Sequence, residues 1–447
     1  MNNQEMAARD LGVLWHPCTQ MKDHEFLPMI PIKRASGVYL EDFDGNRYID
    51  AISSWWVNLF GHANPTINAA VKAQLEQLEH VILAGFTHEP VIRLSERLVA
   101  LTPEGLTRCF YADNGSSAVE VALKMSYHCH RNNGRERPLF VSLSNSYHGE
   151  TIGALSVGDV QLYKETYEPL LIRSVQTPVP ADGSPEAAVA AAEAFEVLCV
   201  KHEGEIAALI VEPLIQGAGG MHMYHPRFLS EVRRICSDRG IHLIADEIMT
   251  GFGRTGTMFG VEQAEITPDF ICLSKGLTGG YLPLSAVVTT DDVYNAFYCD
   301  YGLYRAFLHS HSYTGNALAC AAANATLDLF EAQNVIEANR TKSAYIAEKL
   351  RAFEGLEQVA AVRQTGMVAA VELRGYSASE RIGLKVYEYG LKHGVLLRPL
   401  GHIVYFMPPY VITEPEIDRM MDTAYEAIGR LPVKQGAGPK LAANIRI

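Results

Sequence analysis

Lys275 is the only charged residue in "FICLSKGLTGGYLPLSA" (residues 270–286), a stretch otherwise apolar, hydroxylic or glycine. Ile271, Cys272 and Leu273 read as the end of a buried strand, so the lysine that follows loses hydration and its pKa falls toward neutrality. An uncharged amine is what Schiff-base chemistry with a carbonyl requires. A strand-end lysine that snorkels to water is the plain alternative. Gly276, Gly279 and Gly280 then allow close backbone approach and positive φ. Upstream, "IHLIADEIMTGFGRTG" reads as an apolar strand ending in Asp246-Glu247, 29 residues before the lysine. Carboxylates at the C-terminal end of a parallel strand lie where open α/β sheets bind ligands. Asp246 there would hold a protonated ring nitrogen as an ion pair; capping of the next segment is its alternative role.

Three further features share this chemistry. "YADNGSSAVEVALKM" sets Asn114, Gly115, Ser116 and Ser117 at the start of an amphipathic helix, where free N–H groups and the helix dipole favour phosphate. An ordinary N-cap would look the same. "NSYHGET" places Tyr147 and His148 after a strand, where an aromatic can stack on a planar ring. "HSHSYTGNALACAAA" offers Ser310, His311, Ser312, Tyr313 and Thr314 as a second hydroxyl-rich turn before a helix. Gly251, Gly253 and Gly256 fit G-x-G-x-x-G, yet acidic residues separate them from the strand and no helix-forming run follows, so a dinucleotide site is not expected. Reactive lysine, ring-nitrogen aspartate, phosphate cradle and stacking aromatic together describe a site for pyridoxal 5′-phosphate.

These residues need a large scaffold. The 447-residue chain is long enough for two domains, and its 48% hydrophobic and 20% charged residues are those of a globular protein. A net charge of −13 argues against nucleic acid or an anionic membrane as partner. Eight scattered cysteines without a C-x-x-C pair read as reduced residues of a cytoplasmic protein, with no metal site expected. The first residues show no signal-peptide pattern, and no apolar run reaches membrane-spanning length.

"GVYLEDFDGNRYID" (37–50) predicts a hairpin around Asp44-Gly45. Helices are expected at 65–80, 89–101, 115–132, 226–239, 315–333, 334–353, 379–393 and 414–430. Strands are expected at 107–112, 138–143, 206–212, 241–246, 269–274 and 284–289, with further strands at "MVAAVEL" and "IVYFMPP". The alternation predicts an α/β fold: a large domain with a mostly parallel sheet over 66–333 and a smaller α+β domain over 334–447, joined by residues 1–65. The tail from 433 onward reads as a loosely held end.

With "LIADEIMTGFGRTGTMF" and "PDFICLSKGLTGGYLPLSA", the sequence resembles the class III aminotransferases of pyridoxal-phosphate fold type I, from "LWHPCTQM" to "MPPYVIT". "SSWWVNLFGH", "EPLIQGAGGM" and "LLRPLGHIVYFMPPY" resemble the branch that aminates 8-amino-7-oxononanoate in biotin biosynthesis. The resemblance implies that Lys275 carries the cofactor and moves the proton, that Asp246 pairs with the ring nitrogen, and that Tyr147 stacks on the ring. It implies Gly115 and Ser116 as phosphate ligands and Glu212 near the phenolic oxygen. Trp55 would line the substrate pocket and Arg398 bind the substrate carboxylate. Ser310, His311 and Ser312 would reach the phosphate across a homodimer interface, with Ser310 also facing substrate. S-adenosylmethionine is the implied amino donor in a ping-pong reaction.

Two of these roles have support in the residues themselves. Side by side in a strand, Trp55 and Trp56 cannot face one core, which frees one for an apolar ligand chain. One core and one interface tryptophan is the alternative. Arg398 in "VLLRPL" is semi-buried with no acidic neighbour in sequence, so it needs an anion, from substrate or from elsewhere in the fold. Two positions depart from the family pattern. Cys18 replaces an aromatic in the "WHP-x-T" motif, leaving substrate-side room for Trp55 or Tyr147 to fill, and lysine is therefore the alternative donor. "HSHSYTGN" also differs from the commoner glycine-containing form of that turn. Another ω-amino acid aminotransferase of the class and a pyridoxal-phosphate protein without transaminase activity are the remaining alternatives.

Overall fold

The computed structural model of the chain describes residues 1–434; the expected loose tail lies, from residue 435, outside the described residues. Its centre is a seven-stranded sheet. In spatial order the strands are Leu106–Ala112, Ser285–Thr290, Phe270–Leu273, His242–Asp246, Ile206–Val211, Leu139–Leu143 and Ser174–Thr177. Ser285–Thr290 runs antiparallel to both its neighbours, and the other pairings are parallel. All six residues of Ile206–Val211 are buried, because helices cover both faces of the sheet, and the strand accordingly reads as a continuous apolar run. The helix Gly115–Asn132 crosses one face. On the other face the alanine-rich helix Ala317–Gln333 packs closely on Pro65–Leu75 and Glu89–Leu101, since small side chains let the axes approach.

A three-stranded antiparallel sheet, Val359–Thr365, Val368–Leu373 and Ile403–Phe406, is backed by Val335–Leu350, Gly383–Lys392 and Glu414–Gly429. The N-terminal hairpin Tyr39–Asp42 and Arg47–Asp50 extends into a four-stranded sheet in which Arg47–Asp50 pairs in parallel with Val395–Leu396. The helix expected over 65–80 stops at Leu75. The helices Asn3–Leu11 and Pro185–Lys201 and the strands Ser174–Thr177 and Val359–Thr365 are additions to the sequence reading. Among the described residues no helix is long and apolar enough to cross a membrane, and no group of three or more His, Cys, Asp or Glu could hold a metal ion.

Trp55 and Trp56 do not lie in a strand. Residues Ser53–Trp56 form a turn with φ between +46° and +74°, a region that costs non-glycine residues energy unless the surroundings enforce it. The enforcement is polar. Ser53 Oγ donates to Met407 O at 2.6 Å, Ser54 Oγ donates to the buried Asp50 carboxylate at 2.7 Å, and Trp56 Nε1 donates to Tyr405 Oη at 3.0 Å. The result separates the two indoles: Trp56 is 4% exposed and Trp55 40%.

The glycines after Lys275 press against this turn. Gly280 has φ +86°, and a Cβ on it would fall 2.9 Å from the Val57 carbonyl carbon and 3.0 Å from Asn58 Cα. Backbone cannot give way as a side-chain tip can. Gly280→Ala is therefore expected to destabilise the protein by about 1–3 kcal/mol, read as a lowered thermal midpoint; an unchanged midpoint would show that the two segments are not locked together.

Candidate active site

Strand Phe270–Leu273 ends two residues before Lys275, whose own φ of +44° turns the chain into the short 3₁₀ segment Lys275–Thr278. The Lys275 Nζ lies 4.4 Å from the centroid of the Trp56 ring. Burial pushes its pKa down to about 8; the carboxylates of Asp246 and Glu212 oppose that shift and the Arg254 guanidinium adds to it.

Asp246 closes the parallel strand His242–Asp246. His148 Nδ1 lies 2.8 Å from its Oδ2, and the Ile248 N–H donates to its Oδ1 at 3.1 Å. No helix follows directly, so this is a local turn contact rather than a helix cap. Glu212 follows Ile206–Val211 and accepts the Tyr147 N–H at 3.0 Å and the Gly217 N–H at 2.9 Å. Burial pushes its carboxyl up to about 7, with the Asp246 charge adding to the shift and His148 and the two N–H donors opposing it. Glu247 takes a different course, accepting the Val261 N–H at 2.9 Å and the Thr250 hydroxyl.

The helix Gly115–Asn132 begins beside this cluster. Asn114 caps it by accepting the Ser117 N–H at 3.0 Å, so a side-chain cap is present. The N–H groups of Gly115 and Ser116 precede the first intrahelical bond and stay available, which makes cap and anion cradle compatible. A Cβ on Gly115 would meet Ile248 side-chain carbons at 3.0 Å, so any side chain here would press on Ile248. Ser116 Oγ accepts the Glu150 N–H at 3.2 Å, tying "YHGE" to the helix start. Tyr147 donates its hydroxyl to Glu150 at 3.0 Å and packs edge-on against Tyr163, with ring centroids 5.4 Å apart.

A second group lies on the substrate side. The Arg398 guanidinium sits 5.1 Å from the centroid of the Trp55 ring. Cys18 and Arg398 both line a cavity of about 160 Å³, in which Asp23 is already ion-paired to Arg381. The Cys18 Sγ is 3.8 Å from the Tyr163 hydroxyl. Tyr163 is thus the side chain whose hydroxyl faces the Cys18 thiol. The turn 310–314 stands apart within one chain: Ser312 O lies 2.6 Å from His80 Nε2, and Asn316 rather than a serine caps the next helix. Among the described residues it makes no hydrogen bond to the Lys275 cluster.

Sequence reasoning passed over two residues that complete the arrangement. Tyr163 sits on a four-residue helix, Gln161–Lys164, too short to show a period. Arg254, 1% exposed, lies inside the glycine motif set aside as a false dinucleotide fingerprint. It donates to Pro408 O and Asn58 O at 3.0 Å each and to Trp56 O at 3.4 Å, and its guanidinium lies 5.0 Å from the Tyr410 ring centroid.

In protein freed of small molecules, acylation of Lys275 followed by peptide mapping should show a midpoint near pH 8, against the ordinary lysine value of 10.5. Glu212→Gln should lower that midpoint further, because a carboxylate that favours the ammonium is gone. A midpoint at the ordinary value would contradict the buried setting. The same displacement acts on stability. From about pH 8 to 10.5 the unfolded chain binds a proton that the folded chain does not, so this lysine adds stability as pH rises through that window.

Comparison with known proteins gives the same direction. The family "Aminotransferase class-III" matches residues 19–428. The chain is 55% identical over 439 residues to the adenosylmethionine-8-amino-7-oxononanoate aminotransferase of Helicobacter pylori, covering 96% of this chain and 99% of that one. It is 42% identical to the protein of the same name from Anoxybacillus flavithermus, covering 95% and 96%. The crystal structure of the Methanocaldococcus jannaschii protein of that name superposes with a TM-score of 0.92 at 39% identity, covering 96% and 99%. An ω-transaminase from Pseudomonas jessenii, solved in complex with PMP, superposes at 0.89 with 26% identity, covering 95% and 97%. A match that begins one residue after Cys18 and ends in the last helix spans every element that positions Lys275 and Asp246, and the chain belongs to the class-III aminotransferase family.

Proposed function

We propose that the chain transfers an amino group from S-adenosylmethionine to 8-amino-7-oxononanoate, using pyridoxal 5′-phosphate held at Lys275. The observation that carries this reading is the convergence of Lys275, Asp246 and Glu212 beside the N-terminus of Gly115–Asn132, in a chain 55% identical to a protein named for that reaction.

The residues fit the cofactor. The cluster offers a partly deprotonated amine for the aldehyde, a buried carboxylate for the ring nitrogen and a glycine-opened helix start for the phosphate. When bound, pyridoxal phosphate supplies an electron sink for the carbanion formed at the amino-bearing carbon. Lys275 Nζ would take the proton from that carbon and deliver it to the cofactor's former aldehyde carbon, a role matched to a pKa of about 8. Asp246, oriented by His148 and the Ile248 N–H, would keep the ring nitrogen protonated. Glu212, its carboxyl pushed up to about 7 by burial, would face the phenolic oxygen. Tyr147 would cover the ring, and the Gly115 and Ser116 N–H groups would hold the phosphate.

Trp55 and Cys18 line the substrate path. Arg398, without a carboxylate partner among the described residues, receives the substrate carboxylate. The working unit is a cytoplasmic homodimer in which Ser310, His311 and Ser312 complete the site of a second copy. The turn's exposed apolar neighbours support this, Leu308 being 93% exposed and Tyr313 65%.

Mixing the pyridoxal-loaded protein with one donor at a time tests the donor: S-adenosylmethionine should convert it to the pyridoxamine form. Conversion by lysine and not by S-adenosylmethionine would overturn that part of the reading. Asp246→Asn should retain cofactor and lose most turnover, by several kcal/mol of lost charge stabilisation; near-normal turnover would remove Asp246 from this role. Arg398→Ala should raise KM for 8-amino-7-oxononanoate by about 1.5–3 kcal/mol with little change in the donor half-reaction. An unchanged KM would assign the arginine to the fold.

A further inference from the structure

We propose that Tyr163 is a specificity-determining residue of this site, its phenol hydroxyl donating to the carboxylate of the amino acceptor together with Arg398. The proposal rests on the reading of Arg398 as the carboxylate anchor.

Tyr163 is held in place from several sides. Its N–H donates to Val160 O at 3.1 Å, and the next residue, Lys164, fixes the short helix by donating through Nζ to Gly158 O at 2.8 Å. Its ring packs against Tyr147 at an interplanar angle of 61°, and Tyr147 is itself bound through its N–H to Glu212. The phenol is thus mechanically continuous with the lysine–carboxylate cluster.

The hydroxyl is under-used where it stands. Among the described residues its one side-chain hydrogen-bond partner is the Cys18 Sγ at 3.8 Å, and a thiol is a weak donor and a weak acceptor. Burial, the thiol and the Glu150 carboxylate all push the phenol pKa up, and the Arg398 charge opposes them, so the group stays protonated and able to donate. Cys18, whose thiol faces the hydroxyl, lines one cavity with Arg398, and the Arg398 charge is close enough to act on the phenol. The acidic groups nearby are already engaged: Asp23 pairs with Arg381 and Glu150 accepts the Tyr147 hydroxyl. One cationic and one neutral donor with no free carboxylate between them suit the two oxygens of a single carboxylate.

The test uses cofactor-loaded enzyme and two nine-carbon probes, nonanoate and 1-nonanol, as inhibitors competing with 8-amino-7-oxononanoate. Tyr163→Phe keeps the ring and removes only the hydroxyl. It should raise the inhibition constant of nonanoate, and KM for 8-amino-7-oxononanoate, roughly 5- to 20-fold, while the inhibition constant of 1-nonanol and the donor half-reaction stay within about twofold. A purely structural role would move both probes together or neither, and either result overturns the proposal. Tyr163→Leu, lacking ring and hydroxyl, must weaken nonanoate at least as much; a wild-type value there also overturns it. If wild-type enzyme binds nonanoate no better than 1-nonanol, the Arg398 reading falls as well, whereas a wild-type preference for nonanoate that survives in Tyr163→Phe removes Tyr163 alone.

Discussion

A buried guanidinium governs the geometry of this site. Arg254 is enclosed by protein, and a charge so placed costs several kcal/mol of lost hydration unless its donors are used. Its hydrogen bonds go to the carbonyls of Trp56, Asn58 and Pro408, and its planar face lies over Tyr410. These acceptors come from the N-terminal segment and the C-terminal part, so one side chain beside the seven-stranded sheet binds both. The left-handed turn Ser53–Trp56 ends on one of these carbonyls, and its Trp56 ring lies under the Lys275 amine. The same positive charge helps keep that amine from being permanently protonated.

Three buried groups around this frame lie near neutrality for the same dominant cause. Burial raises the Glu212 and Glu247 carboxyls to about 7 and lowers the Lys275 amine to about 8, each moving toward its uncharged form. Glu212 and Lys275 interact with each other and with Asp246, so a change of charge in the pocket redistributes protons among them. Glu247 answers instead to Thr250 and the Val261 N–H, which makes it a fixed part of the scaffold. Two adjacent carboxylates of one strand end thus have separate duties, decided by which backbone amides each one meets.

Legibility in the sequence followed how local each determinant is. Lys275 and Asp246 stood out because a single charge in or beside an apolar strand has few explanations, and the strands themselves were readable from their uniform burial. Ser53–Trp56 reads as extended because two of the three side-chain bonds that hold it left-handed, Ser53 to Met407 and Trp56 to Tyr405, reach 354 and 349 positions along the chain. Arg254 was hidden by its own motif, since the glycines around it mimic a phosphate loop while serving as a corner around a buried cation. Tyr163 left no periodic trace. The helix Pro185–Lys201 carried a visible signal in Ser184, whose side chain accepts the Ala187 N–H at 3.1 Å, yet an alanine-rich run shows little apolar contrast between faces. The role of the 310–314 turn is not legible within one chain at all, because its hydrogen bonds there are to residues outside the Lys275 cluster.

The parallel pairing of Arg47–Asp50 with Val395–Leu396 bears on how the molecule is made. Once the first 300 residues have emerged from the ribosome, the lysine, the aspartate and the helix start are outside, but not the partner of the N-terminal hairpin or the carbonyl of Pro408. The central sheet can assemble from what has emerged, while the hairpin and the Trp56 turn wait through synthesis of about a hundred further residues. Contacts of such long sequence separation form late and slowly. Until they form, Arg254 lacks one of its carbonyl acceptors and the Lys275 loop has no turn to press against. A nascent or truncated chain therefore carries Lys275 and Asp246 without the parallel strand partner and the Pro408 carbonyl that enclose them in the finished fold.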